Sequence, residues 1–441
     1  MNHLPARRTR SLLFVLLSIF ATACGTSSAV SPSVATTASP DSNVPTTTRL
    51  ESTTTTMIDR DLTPESSSTT IQTESRDALP IEALQATVDQ LPASLRVEGT
   101  VLGVSRHGQT WIGAAGVDDT TTGTPMTSDR RFRVASITKL YVDAVILSLV
   151  DEGALSLGDH LDRWYPTFPN ANGITIQMLM NHTAGVTTDW WLSPDLLQVA
   201  LDDLSRTWTP SEVIELMGKR PPLAPPGGPA LYSNTGFVLL GEIAAQVAGK
   251  SIGALIDDRI IRPLGLQHTT FEFDNPPDLA HGYYDFQGHT IDVTAMPMQA
   301  MLSMAGAAGA IQTDATDLLT FVHTLLGTTE ILSESSRSLL SPSTPVPDRF
   351  LHGVMGFCPC ETSVVGTLYS GWGHSGDIPG FFSVAVYFPA SDTTVVVFVN
   401  RDIVDGVTFG HDALDGVVEQ LANLLDEKMI EVENLSALPR R

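Results

Sequence analysis

Ser136-Ile-Thr-Lys139-Leu-Tyr-Val-Asp-Ala-Val-Ile-Leu-Ser-Leu-Val150 is the stretch that decides how the chain is read. Ile137, Leu140, Tyr141, Ala144 and Ser148 recur at helical spacing, and the opposite side is also apolar except for Asp143, so the run predicts a buried helix. Gly153 supplies a stop signal. Ser136 would then sit at the helix N-terminus, with Lys139 one turn along the same face. A hydroxyl there faces the positive end of the helix dipole, and a lysine amine kept neutral by burial could take its proton. The pattern points to an activated nucleophile. The plainer reading of the same four residues is a capping serine followed by an amphipathic lysine.

Two further motifs lie outward from it. Tyr232-Ser-Asn234 is the only Tyr-x-Asn in the chain; it follows the turn Leu223-Ala-Pro-Pro-Gly-Gly-Pro229 and precedes a helical run from Val238 to Val247. His374-Ser-Gly376 stands within Trp372-Gly-His-Ser-Gly-Asp377, between strand-like segments. In order and spacing these motifs resemble the serine beta-lactamase-related family, which includes class C beta-lactamases, D-alanyl-D-alanine carboxypeptidases and related esterases. Met180-Asn-His-Thr-Ala-Gly185, Arg262-Pro-Leu-Gly-Leu266 and Ala307-Ala-Gly-Ala-Ile311 also look like family landmarks, and the resemblance runs in order from about residue 85 to about residue 425.

The resemblance implies a role for each motif residue. Ser136 would attack an acyl carbonyl, while Lys139 and the Tyr232 hydroxyl would form the proton network that serves first the nucleophile and then the leaving group. The backbone N–H groups of Ser136 and Asp377 would form an oxyanion hole. Asn234 would orient Lys139 and the substrate amide. His374, Ser375 and Gly376 would meet the substrate carboxylate or leaving group. His374 stands where most beta-lactamases of this family carry lysine, and so looks more like the peptidase and esterase branches. Histidine is largely neutral at pH 7 unless an acid raises its pKa, so affinity for a carboxylate-bearing substrate is expected to fall between about pH 5.5 and about pH 7.5.

Arg7, Arg8 and Arg10 precede the short apolar run Ser11 to Phe20, as in an export signal. Ala21-Thr-Ala-Cys24 then reads as a lipoprotein cleavage site, although Ala21 departs from the usual leucine; an ordinary cleaved signal and a twin-arginine route are the alternatives. Residues 25–80 are dominated by Ser, Thr, Pro and Ala and read as a flexible tether with an end-to-end distance of about 40 Å. The expected organisation is a signal over 1–23, a tether over 24–80, a catalytic unit over 81–430 and a tail over 431–441. Lipid on Cys24 would hold that unit outside the cytoplasm at the cell membrane. Cys358-Pro-Cys360 could form a strained local disulfide or remain as inert thiols.

The formal net charge of -24 argues against nucleic acid as a partner. The chemistry requires no cofactor or metal, so a chelator should leave activity unchanged.

The fold class expected is α+β. An opening hairpin over 97–103 and 110–116 and late strands over 366–372, 381–388 and 393–400 would form one antiparallel sheet flanked by helices, with a closing helix near 411–427. Residues 136 to about 335 would supply an inserted helical lobe, with the cleft between the lobes. The resemblance implies the same arrangement, with His374-Ser-Gly376 on a strand at the cleft edge. Three readings of function remain: a D-alanyl-D-alanine carboxypeptidase-like peptidase or esterase/amidase, a beta-lactamase, and a penicillin- or peptidoglycan-binding protein without turnover. The ligand in each case is a small acyl or D-alanyl peptide compound.

Overall fold

The computed structural model describes residues 78–187, 193–286, 289–340, 350–351, 354–357 and 371–401, with short stretches between 416 and 425. The export signal, most of the tether, Cys24, Cys358, Cys360 and the tail lie outside the described residues.

The described chain opens with helix α1 (Ile81–Leu95), which the sequence reading did not assign. Pro92 reads as a breaker, but it falls in the last turn, and Leu84, Val88 and Leu91 still form a buried stripe at helical spacing. The hairpin follows as β1 (Gly99–Arg106) and β2 (Gln109–Asp119), then the short β3 (Thr124–Pro125) and β4 (Phe132–Arg133). The helical part comprises α2 (Thr138–Asp151), α3 (Ile176–Met180), α4 (Pro194–Asp202), α5 (Pro210–Gly218), α6 (Asn234–Ala248), α7 (Ile252–Ile256) and α8 (Arg262–Leu264). Three short strands, β5 (Thr270–Phe271), β6 (Tyr283–Phe286) and β7 (His289–Asp292), lead to α9 (Gln299–Ala305), β8 (Ile311–Thr313), α10 (Ala315–Gly327) and α11 (Glu334–Leu340). The chain then returns to strand as β9 (Phe350–Leu351), β10 (Val354–Phe357), β11 (Gly371–Ile378), β12 (Phe381–Phe388) and β13 (Thr393–Val399).

The main sheet has eight strands in the order β3-β2-β1-β13-β12-β11-β10-β9, so the opening hairpin and the late strands share one sheet, as expected, with the hairpin against β13. Its middle strands are covered on both faces. Val395, Val397 and Val399 of β13 pack with Leu84, Val88 and Leu91 of α1, while Val396 and Phe398 point into the larger core shared with α2 and α10. That is why Val395–Val399 reads as one continuous apolar run with no polar alternation. Gly103 of β1 allows α10 to approach, since a Cβ there would lie 2.9 Å from Leu319.

Of the strand expected over 366–372, residues 366–370 lie outside the described residues; the described strand runs from Gly371 to Ile378, so the His374 motif lies within it. Its run past Trp372 was not read as strand because Trp372-Gly-His-Ser-Gly lacks β-branched residues, and its glycines serve close approach to neighbouring backbone. At Gly373 a Cβ would lie 1.9 Å from the Ala385 carbonyl oxygen. β10 pairs with β11 only from Gly371 to Gly373, and from His374 onward that side of β11 is an edge among the described residues. The closing helix is seen at 416–418, 420–421 and 424. No single helix among the described residues is long and apolar enough to cross a membrane.

Candidate active site

Ser136 occupies a 3-10 turn, Ala135–Ile137, that runs directly into α2. The turn is entered through Ala135 with φ +43°, left-handed backbone that costs a residue with a Cβ about 1–3 kcal/mol. Its surroundings hold it there. The Val134 N–H donates to Ile311 O at 3.1 Å, and the Ile311 N–H donates to Thr138 Oγ1 at 3.0 Å. On the other side Gly376 lets β11 lie against the turn, because a Cβ there would be 2.0 Å from Val134 O. The Ser383 hydroxyl contacts the carbonyl oxygens of both Val134 and Gly376.

Lys139 is 0% exposed. Its Nζ donates to Ser136 Oγ at 3.0 Å, to Asn234 Oδ1 at 2.5 Å and to the Ala308 carbonyl oxygen at 2.9 Å. The Tyr232 hydroxyl donates to the same Ser136 Oγ at 2.8 Å. Four side chains from two separated parts of the sequence, with a main-chain oxygen from a third, therefore meet at one oxygen and one amine. The Lys139 Nζ also lies 4.9 Å from the Tyr232 ring centroid and 5.5 Å from that of Phe237.

Each partner is positioned by local structure. Ser233 caps α6, accepting from the Gly236 N–H, which makes Asn234 the first helical residue and turns its amide toward Lys139. Tyr232 is gripped from both sides by His182. The Leu231 N–H donates to His182 O at 2.8 Å, and the Ser233 N–H donates to His182 Nδ1 at 3.2 Å. The His182 ring lies 4.6 Å from the Tyr232 ring. Burial, reinforced by the Lys139 charge, pushes the His182 pKa down to about 3, so the imidazole is neutral and Nδ1 is available as an acceptor.

His374 is 1% exposed, and its Nδ1 contacts the carbonyl oxygen of Ser375, which requires a proton on Nδ1. Its ring lies 6.3 Å from that of Tyr232. Ser375 is buried and Asp377 exposed on the same strand. The structure thus brings Ser136, Lys139, Tyr232 and Asn234 into direct contact, with His374 beside Tyr232 and Gly376 against the Ser136 turn.

Two contributors were not assigned from sequence. Asn181-His182 belongs to a stretch noted as a family landmark, and the residue it supports is Tyr232. Ala308 belongs to a stretch noted only as a landmark, and its contribution is a main-chain oxygen that no side chain announces. One group among the described residues could hold a metal: His268, Asp314 and Asp317. Asp314 caps α10 by accepting the Asp317 N–H, and His268 Nδ1 lies 2.8 Å from Asp314. Helix capping accounts for that cluster, and it shares no residue with the Ser136 constellation.

Residues 84–415 match the family model described as Beta-lactamase. Among curated relatives, the esterase EstB of Burkholderia gladioli is 32% identical over 227 residues, which is 48% of this chain and 57% of the esterase. Penicillin-binding protein 4* of Bacillus subtilis (strain 168) is 25% identical over 335 residues, 72% of this chain and 71% of that protein. Among solved structures, the D-amino acid amidase of Ochrobactrum anthropi SV3 superposes with a TM-score of 0.66 at 25% identity, covering 78% of this chain and 98% of the amidase. A family model that spans three quarters of the sequence, over a mixed helix and antiparallel-sheet fold shared with the amidase, leads to one conclusion: this chain belongs to the beta-lactamase family of serine hydrolases.

Proposed function

We propose that the chain is an extracytoplasmic, membrane-tethered serine hydrolase that works through a Ser136 acyl-enzyme. Its substrate class is a small acyl compound, either a D-alanyl peptide of the carboxypeptidase type or an ester or amide. The observation that carries this reading is the convergence of Lys139 Nζ and the Tyr232 hydroxyl on Ser136 Oγ, at 3.0 and 2.8 Å.

In the acylation step the Oγ–C bond forms to the substrate carbonyl as the Oγ–H bond breaks. Lys139, with Tyr232 beside it, takes the proton and returns it to the leaving group. Developing charge on the carbonyl oxygen would be met by the backbone N–H groups of Ser136 and of Asp377 at the β11 edge. Asn234 fixes the amine through its 2.5 Å contact, and His374 and Ser375 would face a substrate carboxylate or leaving group. Names among the relatives, an esterase, a penicillin-binding protein and a D-amino acid amidase, support acyl transfer as the common chemistry. The tether and the lipid on Cys24 rest on sequence alone.

A second reading, beta-lactamase turnover, is set lower by histidine at position 374. A third is a binding protein acylated once. The nucleophile, and the beta-lactamase reading against the other two, are tested by intact mass after incubation with a penicillin and, in parallel, with a fluorophosphonate, using the chain without its first 23 residues beside Ser136→Ala. A stoichiometric adduct on the parent alone identifies the nucleophile. A penicillin adduct that persists favours the peptidase or the binding protein, and one that is rapidly lost favours the beta-lactamase. Equal labelling of Ser136→Ala, or no labelling of either protein, overturns the proposal.

A further inference from the structure

The small sheet β4-β8-β5 brings two chain ends together behind the Ser136 turn. His268 lies two residues before β5, Asp314 directly follows β8, and Asp317 stands in the first turn of α10. One ring nitrogen and two carboxylate oxygens from these residues all lie within 4.8 Å of one another. Both aspartates are buried, whereas the His268 ring is half exposed, so the group has a dry floor and an open side.

Capping accounts for where the two carboxylates stand, and it uses one oxygen of each. Asp314 Oδ1 accepts the Asp317 N–H at 2.8 Å, and Asp317 Oδ2 accepts the His268 N–H at 2.7 Å and the Thr269 hydroxyl at 3.0 Å. The second oxygen of each is left for a ligand, that of Asp314 lying 2.8 Å from His268 Nδ1. Two like charges side by side in a dry site are costly unless a cation answers them. The arginines nearest in this part of the fold are committed elsewhere, Arg130 to Asp118 and Arg131 to Asp278. Asp129, which also faces His268, adds a third acid to the surroundings.

A separate observation comes from α2. Tyr141 is 0% exposed, and its hydroxyl faces Thr269, Thr313, Asp317 and Asp314 without a hydrogen bond to any described group. A buried hydroxyl left this way marks a missing partner. Capping gives it none, whereas a hydrated ion among the carboxylates would.

We propose that His268, Asp314 and Asp317 bind one divalent transition-metal ion of the Zn²⁺ type, which staples the segment entering β5 to the start of α10. One imidazole and two carboxylates suit that ion and leave a coordination position for water. On binding, the ion takes the place of the proton shared by His268 Nδ1 and Asp314 Oδ2, and that proton leaves to solvent. The staple firms β8, whose Ile311 holds Val134 and Thr138 on either side of Ser136. It touches none of the reacting groups, so it acts on stability and not on acyl transfer.

The test is calorimetric titration with Zn²⁺ of the chain without its first 23 residues, free thiols alkylated beforehand, for the parent and His268→Ala. The alanine removes the ring but keeps the main-chain N–H bond to Asp317, so capping is preserved. The parent is expected to bind one equivalent, with a melting temperature that rises with Zn²⁺ and falls back with a chelator while fluorophosphonate labelling is unchanged. His268→Ala is expected to bind at least about 10-fold more weakly and to lose the rise. A capping role alone predicts no zinc-dependent melting shift in either protein. Equal binding by both, or no binding by the parent at about 100 µM Zn²⁺, overturns the proposal. Anomalous scattering at the zinc edge from soaked parent crystals keeps it testable if the variant does not fold. A peak between the three side chains supports it, and a peak elsewhere or none overturns it.

Discussion

The two walls that meet at Ser136 are built on different principles. The helical wall, α2 and α6, is held by side chains: Lys139, Asn234, Tyr232 and Ser136 bond to one another within 2.5 to 3.0 Å. The sheet wall, β11, is held by its ladder to β12 and by glycines that let main chain touch main chain, Gly373 against Ala385 and Gly376 against Val134. One wall depends on which functional groups are present, and the other on how little side chain is present. The difference teaches that proton transfer and placement can be damaged separately.

The largest expected effect is on the helical wall. Tyr232→Phe removes one hydroxyl and leaves the ring against His182, so the acylation rate should fall by about 10²- to 10⁴-fold while thermal stability changes little. Measuring both on one preparation breaks the comparison if stability falls in step with rate.

Next is the sheet wall. Gly376→Ala drives a methyl group against Val134 O, and β11 or the Ser136 turn must shift; an overpacking cost of about 1–3 kcal/mol in denaturant unfolding is expected, with slower acylation as a consequence. Unchanged stability with full labelling would show that the walls do not need this close approach.

The smallest effect sharpens the helical side by pH. His182 has a folded pKa of about 3, below the ordinary histidine value, so the unfolded chain binds the extra proton first. The stability it contributes is complete above about pH 6.5 and is lost as pH falls toward about 3. His182→Asn, lower in stability at neutral pH, should show a shallower acid loss over that window in thermal melts. Parallel acid limbs would mean that His182 is not buried neutral.

Much of this site was legible because its signals are local. Ser136 and Lys139 lie on an apolar run whose periodicity gives the helix, and Ser233 caps the helix it precedes. What could not be read depends on pairing across the chain. The contact of His182 with Tyr232 joins residues fifty positions apart, and the Ala308 acceptor is a backbone atom whose direction comes from the turn at 306–308. α1 was hidden by Pro92, and β11 runs on through Trp372-Gly-His-Ser-Gly376 without the β-branched residues that would announce it. The hairpin β6–β7 arises in a stretch to which no strand was assigned from sequence, because its register is set by the ladder from Tyr283↔Asp292 to Phe286↔His289.

The union of β1 with β13 has a consequence for the order in which the molecule can be made. Thr100 faces Val399 across the sheet, and Asn400 fastens the seam, accepting the Gly99 N–H at 2.6 Å and donating to Val117 O at 3.1 Å. During synthesis the first hairpin must therefore wait, with one apolar edge unpaired, until nearly three hundred further residues have been added. Such long-range closure slows folding and leaves a bare strand open to association with other chains. A ribosome-bound fragment ending before Thr393 thus carries the complete Ser136–Lys139 helix but an unfinished sheet, whose closure waits for the last strand.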